Sequence, residues 1–306
     1  MFTRYLLSSL VALGLLLPGP ALAQRDRDDD DVRSRLDTTL AFGRSGIVDL
    51  SLVSGEIVVT GWTRDQARIV ASSERGRIRS DLGSSRLTLE VESDRGRMGN
   101  TKIEVTVPVG VRVITRTMSG DISVKGVKGA VEAHTTSGDI DVDDATDRVI
   151  IESVSGDVRG SRLTGEVRGE SVSGTLELDG VTGDVRIETT SGDLSLVRVT
   201  SRNVYATTVS GEVEYSGSID ANGRYEFHSH SGNIRLDVPE SAGVRFGVET
   251  YSGSIESAFP ITLQPGQGIG RRPRRMEFTL GNGSARVTAE TFSGDITIER
   301  ATRSDR

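Results

Sequence analysis

A Ser-Gly pair recurs along most of this chain at nearly constant spacing, and no other feature restricts the fold as strongly. The serines are Ser119, Ser137, Ser155, Ser173, Ser191, Ser210, Ser231, Ser252 and Ser293. Their spacings are 18, 18, 18, 18, 19, 21, 21 and 41, with an outlying copy at Ser54. A period held over this length marks a stack of repeats. Two residues before each serine stands a hydroxyl, from Thr117 and Thr135 to Thr250 and Thr291. Two residues after it stands a small or polar residue: Asp121, Asp139, Asp157, Thr175, Asp193, Glu212, Asn233, Ser254 and Asp295.

An alternating apolar pair follows each bend, as in Ile122/Val124 and Leu194/Leu196, and another precedes it, as in Val149/Ile151 and Tyr225/Phe227. Period two marks half-buried strands, so each 18-residue unit reads as strand, turn, strand, turn. Neither strand can bury its apolar face alone. Stacking units about 4.8 Å apart encloses a core and gives each backbone group a partner. The expected fold is all-β, a β-solenoid with two main strands per coil and a length on the order of 45 Å. Gly160 and Ser257 replace apolar members of the first strand, so thinner coils are expected there.

The spacing anomalies are ordered. Extra length enters only between the strand after one bend and the strand before the next, so insertions gather along one edge, toward the C-terminal end. Such an edge is often a binding edge in solenoids. Residues 117–300 form the regular repeats, and residues 38–116 read as looser strands that continue or cap them, since an uncapped end exposes a sheet edge.

Glycine is over-represented at 36 of 306 residues, about 12% against a usual 7% or so. A bend glycine in every coil accounts for much of this. There is no cysteine, which excludes disulfides, thiolate zinc sites and a lipid-modified cysteine anchor. Residues 1–23 combine Arg4, an apolar run from Tyr5 to Leu17, Pro18-Gly19-Pro20 and Ala21-Leu22-Ala23, the pattern of a secretory signal peptide. Its removal takes the net charge from −7 to −8, because Arg4 is its only charge. No other segment is apolar enough to span a membrane. Acidity argues against nucleic acid as a partner. Residues 24–37 read as an acidic, disordered spacer and 301–306 as a tail, leaving a protein that is periplasmic, cell-surface or secreted.

At Thr-x-Ser-Gly-Asp-Ile-x-Val the chain resembles a bacterial family of adhesin-like proteins with β-strand repeats, also described as a domain of unknown function. The resemblance is carried by Val107–Val111, Thr135–Val142, Thr189–Leu196 and Gly281–Ile298, and covers roughly 38–300. It implies an extracytoplasmic β-solenoid and brings no catalytic residues. The chain departs from anchored relatives in having no membrane span or lipid anchor.

Several constellations of residues bear on chemistry. The aspartate row at the bend reads first as turn capping, with calcium binding the alternative. The acids are spread evenly rather than paired, which argues against a carbohydrate-active enzyme. His228 and His230 share a strand face but lack an evident third metal ligand, so no metal or cofactor is expected. Glu152, Glu170 and Glu188 read as an outward row in cross-coil ion pairs with Arg168 and Arg186. Arg271, Arg272, Arg274 and Arg275 cluster in the longest interval, and nine of the 11 mature aromatics lie from Tyr205 to Phe292. Tyr225, Phe227 and Phe246 fall on inward positions, whereas Tyr205 and Tyr251 fall outward.

The expected function is a non-enzymatic, adhesin-like binding or scaffold module that displays insertion loops between about residues 216 and 284. Tyr205, Tyr251 and the four arginines are its candidate contacts. Envelope polysaccharide, anionic lipid or a surface protein is the expected partner. A purely structural envelope protein is the alternative.

Overall fold

The computed structural model describes residues 34–93, 99–260 and 274–301, all of them in one compact unit. The expected signal peptide lies outside the described residues, as do Arg271, Arg272 and most of the C-terminal tail. Among the described residues every regular element is a strand.

The β-solenoid is present, and its rungs are set by the repeat. Val131–Ser137 pairs in parallel with the second part of Thr146–Ser155, Val131 opposite Val149 and Ser137 opposite Ser155. Ile140–Asp143 pairs likewise with Val158–Ser161. One ladder therefore carries the residues before each serine, and a second carries those after it. A third, shorter ladder closes the insertion corner. It joins Thr146–Arg148 to Thr164–Glu166, continues through single bridges at Thr182 and Thr200, and ends with Val199–Ser201 beside Gly217–Ile219.

Alternation places Val131, Ala133, Ile140 and Val142 in the core of one coil, and the same positions recur 18 residues on. The insertion corner adds a column that period-two reasoning overlooks: Val127, Ala145, Leu163, Val181 and Val199 are all fully buried. Leu163 explains why the coil of Gly160 is not simply thinner. A Cβ on Gly160 would lie 2.8 Å from Leu163 Cδ1 and 2.7 Å from Leu178 Cδ2, so leucines occupy the space.

The coils do not stack in chain order throughout. Tyr225–Ser231 is paired with Val287–Ser293, which in turn pairs with Val244–Ser252 on its other side. Ile296–Arg300 likewise lies between Ile234–Val238 and Ile255–Ser257. The last coil in sequence is thus inserted between its two predecessors. Arg274–Leu280 runs antiparallel along the free edge of Val244–Ser252. Phe278 stacks on Phe246 with ring centroids 4.7 Å apart.

The N-terminal strands follow the same logic. Ile47–Trp62 carries the coil of Ser54 and lies directly beside Arg112–Lys125. Arg86–Ser93 and Thr101–Pro108 extend its two halves in parallel. Antiparallel partners then cover them, Gly76–Leu82 on the former and Gln66–Ser73 on the latter. Ser34–Ala41 closes the series against Gln66–Ser73. Ser34–Asp37, read in the sequence as spacer, is therefore paired strand.

Candidate binding surface at the Ser-Gly edge

The bend where the first ladder turns into the second is built from four columns. The inner one is the hydroxyl two residues before each serine. From Thr117 to Thr291 these side chains are buried, and several donate to the carbonyl of a bend glycine one coil away. Thr250 Oγ1 reaches Gly294 O at 3.0 Å, Thr291 Oγ1 reaches Gly232 O at 3.0 Å, and Ser229 Oγ reaches Gly211 O at 3.2 Å. The second column is glycine itself, because coil backbones approach too closely there for a Cβ. One built on Gly211 would lie 2.0 Å from Gly192 O, and Gly211 has φ +154°.

The third column is the acidic row. Asp121 Oδ1 accepts the N–H of Asp139, Asp139 Oδ1 that of Asp157, and Asp157 Oδ1 that of Thr175, all at 2.9–3.0 Å. Asn233 Oδ1 accepts the N–H of Asp295, and Asp295 Oδ1 accepts both the N–H and the hydroxyl of Ser254. The two bonds from Ser254, with Arg274 nearby, hold the Asp295 carboxyl below its ordinary value. These carboxylates cap backbone one coil along. Among the described residues no group of three or more His, Asp or Glu is arranged to hold a metal ion.

The fourth column lies one residue before each serine and points outward. Met118, Val154, Val172, Val209, Phe292 and Tyr251, the exposed large hydrophobics of the described residues, all belong to it. They are 45–58% exposed. The inserted last coil places Phe292 between His230 and Tyr251. Its ring lies 5.0 Å from the first and 4.8 Å from the second, nearly parallel to both. The result is a largely apolar ridge, broken by Thr136 and Thr190, that ends in three stacked rings.

One hollow flanks these features and another lies away from them. A trough of about 700 Å³ runs beside the ridge, with Arg116, His134, Glu152, Glu170 and Glu188 along its other side. A second, of about 730 Å³, lies at the insertion corner among Arg198, Ser218, Ile219, Ser241, Asn282 and Ser284. The glutamates are held mainly along their own strands: Arg168 bonds Glu170 and Arg186 bonds Glu188, each two residues away. The cross-coil pair is His134 Nδ1 with Glu152 Oε2 at 2.9 Å, which corrects the reading of the row as a cross-coil ladder.

The model of the Toastrack DUF4097 family matches residues 47–179 and 99–299, together most of the chain. The chain belongs to that family. The family bears out the resemblance read at Thr-x-Ser-Gly-Asp-Ile-x-Val. Among solved structures, the Toastrack chain is similar to a candidate adhesin from Bacteroides fragilis, 13% identical, covering 87% of this chain and 97% of that one with a TM-score of 0.44. It is also similar to a candidate cell-adhesion protein from Clostridium sporogenes, 11% identical, covering 87% and 100%, TM-score 0.23. A candidate lipid-binding protein from Parabacteroides distasonis is 8% identical, covering 86% and 96%, TM-score 0.39. No curated protein matches the chain.

Within this Toastrack chain the residues expected to make contacts do not form one cluster. Tyr251 ends the ridge, and Arg274 is beside it, donating to Gly253 O at 2.7 Å. Arg275 pairs with Glu277 at 2.9 Å. Tyr205 lies five residues before Ser210, under the guanidinium of Arg186 at 4.2 Å and 6.0 Å from His228. Tyr251 and Arg274 therefore belong to the Ser-Gly edge rather than the insertion corner. Sequence reasoning missed Phe292, His230 and the valines of the ridge. The signal was there, because the position before the serine is apolar in most coils although it faces outward. Among the described residues no helix is long and apolar enough to cross a membrane.

Proposed function

We propose that this chain is a non-enzymatic, extracytoplasmic, adhesin-like binding module that meets its partner along the Ser-Gly edge. The observation that carries this reading is the confinement of the exposed large hydrophobics to one column. Surface apolar residues ordinarily lie scattered, and contiguous ones mark contact sites. The acids nearest the ridge cap backbone N–H groups or sit in ion pairs, which supports display over catalysis. Export follows from the signal-peptide pattern, and envelope polysaccharide, lipid or a surface protein is the partner class. Arg274, which donates to Gly253 O beside Tyr251, extends the contact there.

The test is binding of residues 24–306 to isolated envelope fractions. One variant carries Tyr251→Ser with Phe292→Ser, and another has all four arginines changed to alanine. Saturable binding is expected, weakened about 10-fold in the aromatic variant. Equal binding by that variant would remove the ridge from the interface. Absence of saturable binding to every fraction would favour a purely structural envelope role.

A further inference from the structure

The trough beside the ridge has two chemically opposite walls. Val154, Val172 and Val209 make the apolar part of one, which Thr136 and Thr190 interrupt, and Glu152, Glu170 and Glu188 line the other, with Arg116 and His134 at one end of it. Both walls come from the same strands, since residues two apart project from one face with a single inward residue between them. Each glutamate already has one side-chain partner, His134, Arg168 or Arg186. A carboxylate has acceptor capacity for more than one donor, so a further cation can join from the trough side. Around the bend, Asp121, Asp139 and Asp193 use Oδ1 to cap backbone and show no ion pair among the described residues. The apolar wall thus runs between two lines of carboxylates on a chain whose mature net charge is −8, that is, −7 less Arg4.

We infer that the trough docks a cationic amphipathic polypeptide segment, its apolar side chains on the valine wall and its lysines or arginines on the glutamate wall. This deepens the binding-module reading and rests on it. Charge complementarity selects this occupant. An acidic polysaccharide or anionic lipid would meet carboxylates on both sides, and a second copy of this chain would bring glutamates against glutamates. Length fits as well. From Thr117 to Thr207 the trough crosses five coil steps, about 24 Å at 4.8 Å each. That is the span of about 16 residues of α-helix. A helical turn of about 5.4 Å stays close to the coil spacing over so few steps, so two successive turns can meet the adjacent pairs Glu152/Val154 and Glu170/Val172.

The probe is a labelled 16-residue leucine/lysine helix with its leucines on one face, titrated against residues 24–306 by fluorescence anisotropy at low and high salt. A scrambled peptide of the same composition is the control. We expect saturable binding that falls at least 10-fold for the scrambled peptide. A similar loss is expected for the variant carrying Val154→Ser, Val172→Ser and Val209→Ser. Replacing Glu152, Glu170 and Glu188 by glutamine should weaken binding severalfold and flatten its salt dependence. If the serine variant fails to fold, the glutamine variant decides. Equal binding of the scrambled peptide would mean unspecific attraction to an acidic protein and would overturn the inference. So would valine-dependent binding of phosphatidylcholine vesicles, or valine-dependent dimers, in place of peptide binding. Loss of peptide binding with envelope binding intact sinks this inference alone, whereas loss of both sinks the binding-module reading beneath it.

Discussion

Gly174 shows how narrow the tolerance of the bend is. Its φ is +117°, and a Cβ there would sit 2.2 Å from the carbonyl oxygen of Gly156. Two costs coincide, a backbone region closed to most residues and a clash with the next coil's backbone. Gly174→Ala should cost about 3 kcal/mol or more. Gly247→Ala, where no atom lies within 4 Å, should be neutral or slightly stabilising. Urea denaturation of the two variants in parallel checks the contrast. Tyr215 makes a different residue-scale case. Burial raises its phenol well above the ordinary value of 10.0, and its hydroxyl donates to Ser218 O at 2.9 Å. The folded state favours the neutral phenol, so its contribution is intact below about pH 10. It is lost as pH rises, because the unfolded chain ionises first. Stability of the wild type should begin to drop as pH rises through about 10 and keep falling above it. Tyr215→Phe should start about 1 kcal/mol lower at neutral pH and show a shallower alkaline drop.

At the scale of elements, the position of the last coil matters most. Ala285–Ser293 has parallel partners on both sides, Tyr225–Ser231 and Val244–Ser252. Chain order would make it a terminal strand whose removal affects only itself. In the fold it is an internal rung, and deleting residues 284–306 strips partners from two coils at once. Hydrogen exchange on that truncation should show lost protection across both Val213–Ser231 and Val244–Ser252, while Val131–Ser191 stays protected. Protection retained in Val244–Ser252 would contradict the stacking. Strand content and period were legible from the alternation around each serine. Their order was not, because every Ser-Gly unit offers a neighbour the same ladder of N–H and C=O groups. Phe278 packing on Phe246 covers the outer edge of Val244–Ser252, so the returning chain enters on the other side.

At the scale of the whole molecule, the acidic row decides whether this is a calcium-dependent β-roll. Its Oδ1 atoms already accept backbone N–H groups from the next coil, from Asp121 through Asp157 and again at Asn233 and Asp295. The melting temperature of residues 24–306 should therefore be unchanged, within a degree or so, by chelator or by added calcium. A chelator-induced fall of several degrees would restore the calcium reading.

The repeat by itself determined the all-β solenoid, the bend glycines and the inward aromatics Tyr225, Phe227 and Phe246, because alternation and spacing are local properties. It also located the bend where the acids cap backbone. Only the tertiary structure decided which coils are neighbours. Phe292, last in chain order, became the middle ring between His230 and Tyr251. The ridge depends on that placement. The position before each serine is apolar in most coils, from Met118 to Tyr251, but those residues become one surface only when parallel pairing sets them in a column. Side-chain chemistry wrote the strands, and strand pairing, which is nearly blind to side-chain identity, assembled the surface.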